Sequence, residues 1–213
     1  MNRRNYQREM EAVIADFERE GRVPTLLLHS CCAPCSSYSL ELLAEHFRVT
    51  EFYYNPNITR REEYEKREEE LSRLIESQPH LYPVAFLRGR YDPDSFFAIA
   101  KGLEDCPEGG ERCFRCYELR LRETARIAAE KDFDFFTTTL TISPLKNAEK
   151  LNEIGERLAE EWGVRWLPTD LKKKGGYQRS IELSKEYNLY RQDFCGCVYS
   201  EAEARRRRGC PAL

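Results

Sequence analysis

Short apolar runs alternate along this chain with longer stretches in which charged and apolar residues mix. The first run, Val23 to Leu28, reads as a buried strand, and further strands are predicted at Val49 to Tyr54, Tyr82 to Leu87, Phe133 to Thr139 and Val164 to Leu167. A charged, amphipathic helix is predicted over roughly residues 1–20. After the first strand comes a helix over Ser36 to His46, with Ser36 or Ser37 as its cap behind Pro34. Thr59 to Gln78 is a long helix opening with the capping box Thr59-Arg60-Arg61-Glu62. Asp92-Pro93 starts a helix that carries Phe96 to Ala100, and Cys113 to Lys131 is a second helix of the same crossover. Asn147 to Glu161 and Gln178 to Tyr187 are the last helices, and the tail Arg205 to Leu213 is expected to fray.

The alternation of strand and helix signals predicts one α/β domain over residues 1–213. Its architecture is Rossmann-like: a parallel five-stranded sheet with helices on both faces. In such sheets the site lies beyond the carboxyl ends of the strands, at the point where strand order reverses. Three segments fall on that rim: HSCCAPC after strand one, NPNIT after strand two and TTTLTISPLKN after strand four.

Charged residues make up 33% of the chain and the net charge is −3, so nucleic acid would be held by local patches and not by the whole surface. No secretory signal is read at the N-terminus, and no run approaches the ~18 apolar residues that span a bilayer. The expectation is a cytoplasmic protein that binds no membrane. Thiols stay reduced in that compartment, so the nine cysteines speak for metal or redox chemistry and against a disulfide framework.

Seven of those nine fall in three tight groups: Cys31, Cys32 and Cys35; Cys113 and Cys116; Cys195 and Cys197. Cys32 and Cys35 have C-x-x-C spacing where the chain turns into a helix, whose N-terminus favours thiolate charge. Cys113 and Cys116 repeat the spacing at another helix start. In the C-G-C segment, Gly196 permits backbone angles that turn both thiols to one side. Cys106 and Cys210 stand alone and read as small buried hydrophobes. A cubane or a structural zinc takes four ligands and leaves three thiols over for a redox pair or a second metal. His29 abuts the first group as a proton donor or as a locally hydrogen-bonded side chain. Asn55-Pro56-Asn57 reads first as a capped turn, with Asn57 a candidate for RNA contact. Thr137 to Thr141, Ser143 and Lys146 form a hydroxyl-rich rim with one cation, fit for phosphate or ribose. Lys172, Lys173, Lys174 and Arg179 form a basic, glycine-containing candidate RNA loop. The helix segment REEYEKREEELSRL reads as a solvated charged face, not a site.

HSCCAPCSSY, RCFRCYELRL, TISPLKN and YQRSIELSKEYNLYRQDFCGCVYS together resemble the cobalamin-independent epoxyqueuosine reductase (QueH) family, from about Leu26 to Ser200. The order of elements is also similar to the adenine-nucleotide α-hydrolase (HUP-like) fold of PP-loop enzymes. Here CCAPC replaces the glycine-rich phosphate turn, which argues against use of ATP. The resemblance implies the last step of queuosine synthesis, the two-electron removal of the epoxide oxygen of epoxyqueuosine at the tRNA wobble position. It implies as partners a tRNA with a GUN anticodon and a ferredoxin- or flavodoxin-like electron donor. It maps the family's cysteine motifs onto the seven clustered cysteines. On that basis a [4Fe–4S] cluster is expected on Cys32, Cys113, Cys116 and one of Cys195 and Cys197. The remaining thiols, Cys31 and Cys35 among them, would sit near a second mononuclear iron or react directly. Asp193 and Tyr199, flanking the C-G-C segment, are candidates for ligand or acid. Competing readings are a zinc-stabilised RNA-binding protein, a thiol–disulfide oxidoreductase and a tRNA thiolation enzyme.

Overall fold

A computed structural model describes residues 4–209; Cys210 and the end of the tail lie outside the described residues. Five strands, β1 (Thr25–His29), β2 (Arg48–Tyr53), β3 (Ala85–Arg88), β4 (Phe135–Thr138) and β5 (Arg165–Trp166), form one sheet in the order β3-β2-β1-β4-β5. Every pairing is parallel. The Rossmann-like expectation therefore stands on topology. β1 lies between β2 and β4, and the strand order reverses there.

The alternation of β1 explains the two layers. Leu26 and Leu28 point to a core shared with Met10, Ile14 and Phe17 of α1 (Tyr6–Glu20) and with Leu40 and Leu43 of α2 (Ala33–Leu43). Leu27 points to the other face, against Leu121 of α5 (Glu111–Glu130) and Leu151, Ile154 and Leu158 of α6 (Ala148–Trp162). On the first face α3 (Arg61–Ser77) and α7 (Gly176–Glu186) pack against α2; on the other α4 (Pro93–Ala100) and α6 pack against α5. No helix among the described residues is long and apolar enough to cross a membrane.

Asp92 caps α4 as its position predicts, and Asn147, where the next helix is expected to begin, caps α6. Other ends differ. The capping box before α3 does not form: Arg60 is the cap residue, and the Thr59 hydroxyl is buried without a partner. The backbone of Thr59 is committed elsewhere, its N–H to Gly196 O (3.3 Å) and its carbonyl to the Tyr91 hydroxyl (2.7 Å). Helix α2 starts earlier than predicted, with Cys32 in the cap position and Pro34 in the first turn. Ser36 and Ser37 thus lie inside the helix and cap nothing. Of the tail expected to fray, Arg205 to Arg207 are instead the end of a further helix, α8 (Val198–Arg207), whose Glu201 pairs with Arg60 and Arg205 at 2.9 Å each. β5 is two residues long: beyond it Leu167 O accepts from Thr137 Oγ1 and Thr169 N donates to Asn152 Oδ1, so the ladder with β4 ends there.

Asn152 ties α6 to the strand and loop beside it. Its amide donates to Ala148 O (2.8 Å) and Thr169 O (2.9 Å), and its oxygen accepts from Trp166 Nε1 (2.9 Å) and Thr169 N (3.0 Å). Replacing Asn152 with Ala leaves buried groups of Trp166 and Thr169 unpaired and should cost about 2–4 kcal/mol in denaturant unfolding. A loss below about 0.5 kcal/mol, the range of a neutral surface change, would contradict this.

Candidate metal centre and substrate cavity

The reversal point gathers the cysteine segments into two adjoining centres. Cys31, Cys32 and Cys35 leave β1 and enter α2, and their sulfurs lie within 4.8 Å of one another. Cys31 and Cys32 are 3.7 Å apart, and the Thr139 hydroxyl behind β4 donates to Cys31 Sγ at 3.7 Å. This trio forms the floor of a cavity of about 230 Å³ that also takes in Arg67, Lys146, Tyr177, Gln192, Asp193 and Cys195. Within the trio, hydrogen bonds from Cys31 and Cys35 hold the Cys32 thiol well below its usual range, and Arg67 and Gln192 add to the effect. The same bond to Cys32 pushes Cys31 up to about 11, and Cys35 is raised by Cys31 and Cys32. Within the trio, Cys32 is thus the cysteine whose anionic form its neighbours favour most.

Cys113 and Cys116, on the first turns of α5, share a second cavity with Cys195 and Cys197. It is small, at about 20 Å³. Gly109 N–H donates to Cys113 Sγ at 3.3 Å, and burial pushes Cys116 up to about 12. Four buried polar atoms of the residues around it have no partner: Asn57 Oδ1, Arg112 Nε, Tyr117 Oη and Arg120 Nη2. Orphaned buried donors are rare and demand an explanation. Four thiols beside unpaired Arg and Tyr donors suit a soft, acceptor-bearing anionic group, which is the chemistry of thiolate-held metal sulfide. The grouping departs from the expected set, because Cys32 sits with Cys31 and Cys35 and not with Cys113 and Cys116. As the cap residue of α2, it faces the Arg67 side.

The C-G-C loop reaches this place through Arg67 of α3, which is 2% exposed. Arg67 donates to Cys195 O (3.1 Å) and Phe194 O (3.4 Å) and pairs with Glu63. The helix read as a solvated face therefore holds the site, and that reading is corrected. The signal was available: Tyr64, Arg67, Leu71 and Leu74 recur at helical spacing and are its buried stripe. Gly196 has φ +121°, and a Cβ there would lie 2.7 Å from Ile58 Cγ1, so both backbone and space require glycine.

Two expected RNA contacts lie inside. Asn57 is 1% exposed, and its amide donates to Cys195 O (3.4 Å) and Sγ (3.8 Å). Lys146 sits 3.4 Å from Cys195 Sγ and 3.4 Å from Glu108. Burial pulls its ammonium down, but the attraction of Cys195, Tyr117 and Glu108 outweighs this and holds it above the usual lysine range. Asn55 builds rather than contacts: it donates to Ser30 O at 2.8 Å and accepts from Arg120. His29 is fully buried between Thr138 Oγ1 (2.8 Å) and Tyr54 O (3.1 Å). A carbonyl only accepts, so Nε2 carries the proton and Nδ1 accepts from Thr138. Burial pushes its pKa down to about 3, which keeps the ring neutral. Thr137, Thr138 and Thr141 spend their hydroxyls within the fold, and only Thr139 reaches the trio. Asp193 lines the large cavity and pairs with Arg208 at 3.1 Å. Tyr199 stacks under Arg112, 4.3 Å from its ring centroid, outside both cavities. In the basic loop Lys172 pairs with Asp170, Lys174 with Glu11 and Arg179 with Glu41, while Lys172 and Lys173 line a neighbouring groove. Sequence reasoning missed Arg67, Arg120 and Glu108 at the site.

Fold and site together define a Rossmann-like protein with a cysteine trio that could hold a metal at the switch point of its sheet, beside a small cavity lined by four more cysteines. Comparison with known proteins narrows this: residues 26–203 match the family described as epoxyqueuosine reductase QueH, and the chain belongs to that family of oxidoreductases. All seven clustered cysteines fall inside the match. The epoxyqueuosine reductase QueH of Staphylococcus epidermidis is 40% identical over 200 residues, covering 92% of this chain and 84% of its own. That of Histophilus somni is 42% identical over 182 residues, covering 82% and 71%. That of Thermotoga maritima is 36% identical over 189 residues, covering 86% and 93%. Among solved structures, an NMN synthetase from Francisella tularensis aligns over 99% of this chain and 89% of its own at 8% identity, with a TM-score of 0.37, too slight a likeness to carry an argument.

Glu51 of β2 is a buried acid behind the trio. One oxygen accepts from Ser36 (3.3 Å), the other has no partner, and burial holds its carboxyl well above the usual range. Folded Glu51 keeps a proton that the unfolded chain loses above the ordinary carboxyl pKa, so this group makes stability fall as pH rises. Glu51→Gln should therefore flatten the fall in stability between about pH 5 and pH 8, read as denaturation midpoints across that range. A variant as steep as the wild type would contradict the assignment.

Proposed function

We propose that this chain reduces epoxyqueuosine to queuosine in tRNA, at the wobble position of a GUN anticodon, in the cytoplasm. A [4Fe–4S] cluster would be held by Cys113, Cys116, Cys195 and Cys197, and a second, mononuclear iron by the trio Cys31, Cys32 and Cys35. The observation that supports the reading is that the three thiols of Cys31, Cys32 and Cys35 lie within 4.8 Å of one another in one cavity, while Cys113, Cys116, Cys195 and Cys197 line a second cavity that shares Cys195 with the first. When bound, the cluster would supply electrons one at a time and the open iron would act as a Lewis acid on the epoxide C–O bond.

The remaining work belongs to side chains. The reaction takes in two electrons and two protons, breaks both C–O bonds of the epoxide, and yields an alkene and water. Arg67, Arg120 and Lys146 offset the negative charge that thiolates and electrons bring into a buried site. Tyr177 and Leu145, 37% and 66% exposed, stand at the cavity's mouth and suit an unstacked base. Arg191 and Arg207 line the same cavity and suit the flanking phosphates. Lys172 and Lys173 would extend the basic path, and Asp193, in the wall of the cavity, would serve as ligand or acid. A ferredoxin- or flavodoxin-like protein would deliver the electrons.

Anaerobically purified protein should contain about four sulfides per chain and an excess of iron over sulfide. Cys113→Ser should lose the sulfide. Cys31→Ser should keep it, lose the excess iron and lose reduction of epoxyqueuosine-bearing tRNA. Zinc without sulfide would replace this reading with a structural-metal one, and sulfide lost from Cys31→Ser would overturn the partition.

A further inference from the structure

Three residues belong to the walls of both cavities: Cys195, Lys146 and Glu108. They touch in series, with Lys146 Nζ 3.4 Å from Cys195 Sγ and 3.4 Å from Glu108 Oε1. They are the partition between the two thiol centres. The Lys146 side chain is only 9% exposed and that of Glu108 17%. A lysine buried this far is rarely tolerated without compensation, and here two partners supply it, a carboxylate and a sulfur. A surface pair of this kind would have little effect on its surroundings. Out of water, the same charges act strongly on whatever sits beside them.

We propose that the Lys146 ammonium, partly offset by Glu108, sets the reduction potential of the metal group held through Cys195. Lys146 is thus a positioning residue that acts through a ligand sulfur, not an RNA contact. The proposal rests on the iron–sulfur reading above. A hydrogen bond or cation at a ligating sulfur favours the state with the extra electron and raises the potential. An adjacent carboxylate opposes that effect. Removing the two charges should therefore move the potential in opposite directions, which a loss of packing would not do.

The test is a redox titration of anaerobically prepared protein without tRNA, followed by visible absorption and electron paramagnetic resonance. Iron and sulfide are measured on each variant. Lys146→Gln should lower the midpoint potential, Glu108→Gln should raise it, and Lys146→Arg should stay near the wild type, all with unchanged sulfide. Shifts in the same direction, or none, in cluster-bearing variants overturn the proposal and leave the cluster reading intact. Where Lys146→Gln sheds its sulfide, Glu108→Gln decides alone, and an unchanged or lowered midpoint overturns it. Wild-type protein without sulfide overturns the cluster reading, and this proposal with it.

Discussion

Arg67 reaches from the middle of α3 into the loop between α7 and α8 and takes the carbonyls of Phe194 and Cys195 on its guanidinium. The same cation faces Cys32 at the start of α2. One buried side chain thus ties the C-terminal cysteines to the first cysteine segment, which is far away in sequence. Glu63, one helical turn back, satisfies the rest of its charge. The backbone of Thr59 and the amide of Asn57 hold the same loop from the next turn of chain. Without these contacts Cys195 and Cys197 would have no fixed place beside Cys113 and Cys116.

A second constraint is electrostatic. Thiols crowded together resist ionisation, and burial adds to that resistance at Cys116, Cys113 and Cys197. The fold answers with cations buried among the thiols. Arg120, 1% exposed, keeps one amino group unpaired between the centres, and Lys146 stands against Cys195. Such an arrangement is poor for a stable empty site and good for one that must accept anionic sulfur, metal and transient electrons. Neutral His29, by contrast, serves the scaffold, joining β1 to the chain ends of β2 and β4 through both ring nitrogens.

Much of this was legible in the residues. Apolar runs marked all five strands, and the cysteine spacing marked the chemistry. Asp92 and Asn147 announced their helices because a cap needs only its own neighbours. What failed depends on distant partners. Thr59 looks like a cap until Gly196 and Tyr91 claim its backbone. Lys146 and Asn57 look like RNA contacts until the C-G-C loop folds over them. The regrouping of Cys32 follows from the direction its side chain takes at the start of α2, which spacing alone does not encode. Arg67 was the avoidable miss, since its place in a buried stripe is visible in the helical repeat.

On the proposed function the two groups of thiols hold different iron. Mössbauer spectroscopy of iron-isotope-enriched, anaerobically purified protein tests it most directly. The account predicts a cubane signal together with a separate mononuclear ferrous signal, the latter lost in Cys31→Ser while the former persists. A single iron environment, or one in which both signals vanish together in that variant, would contradict it.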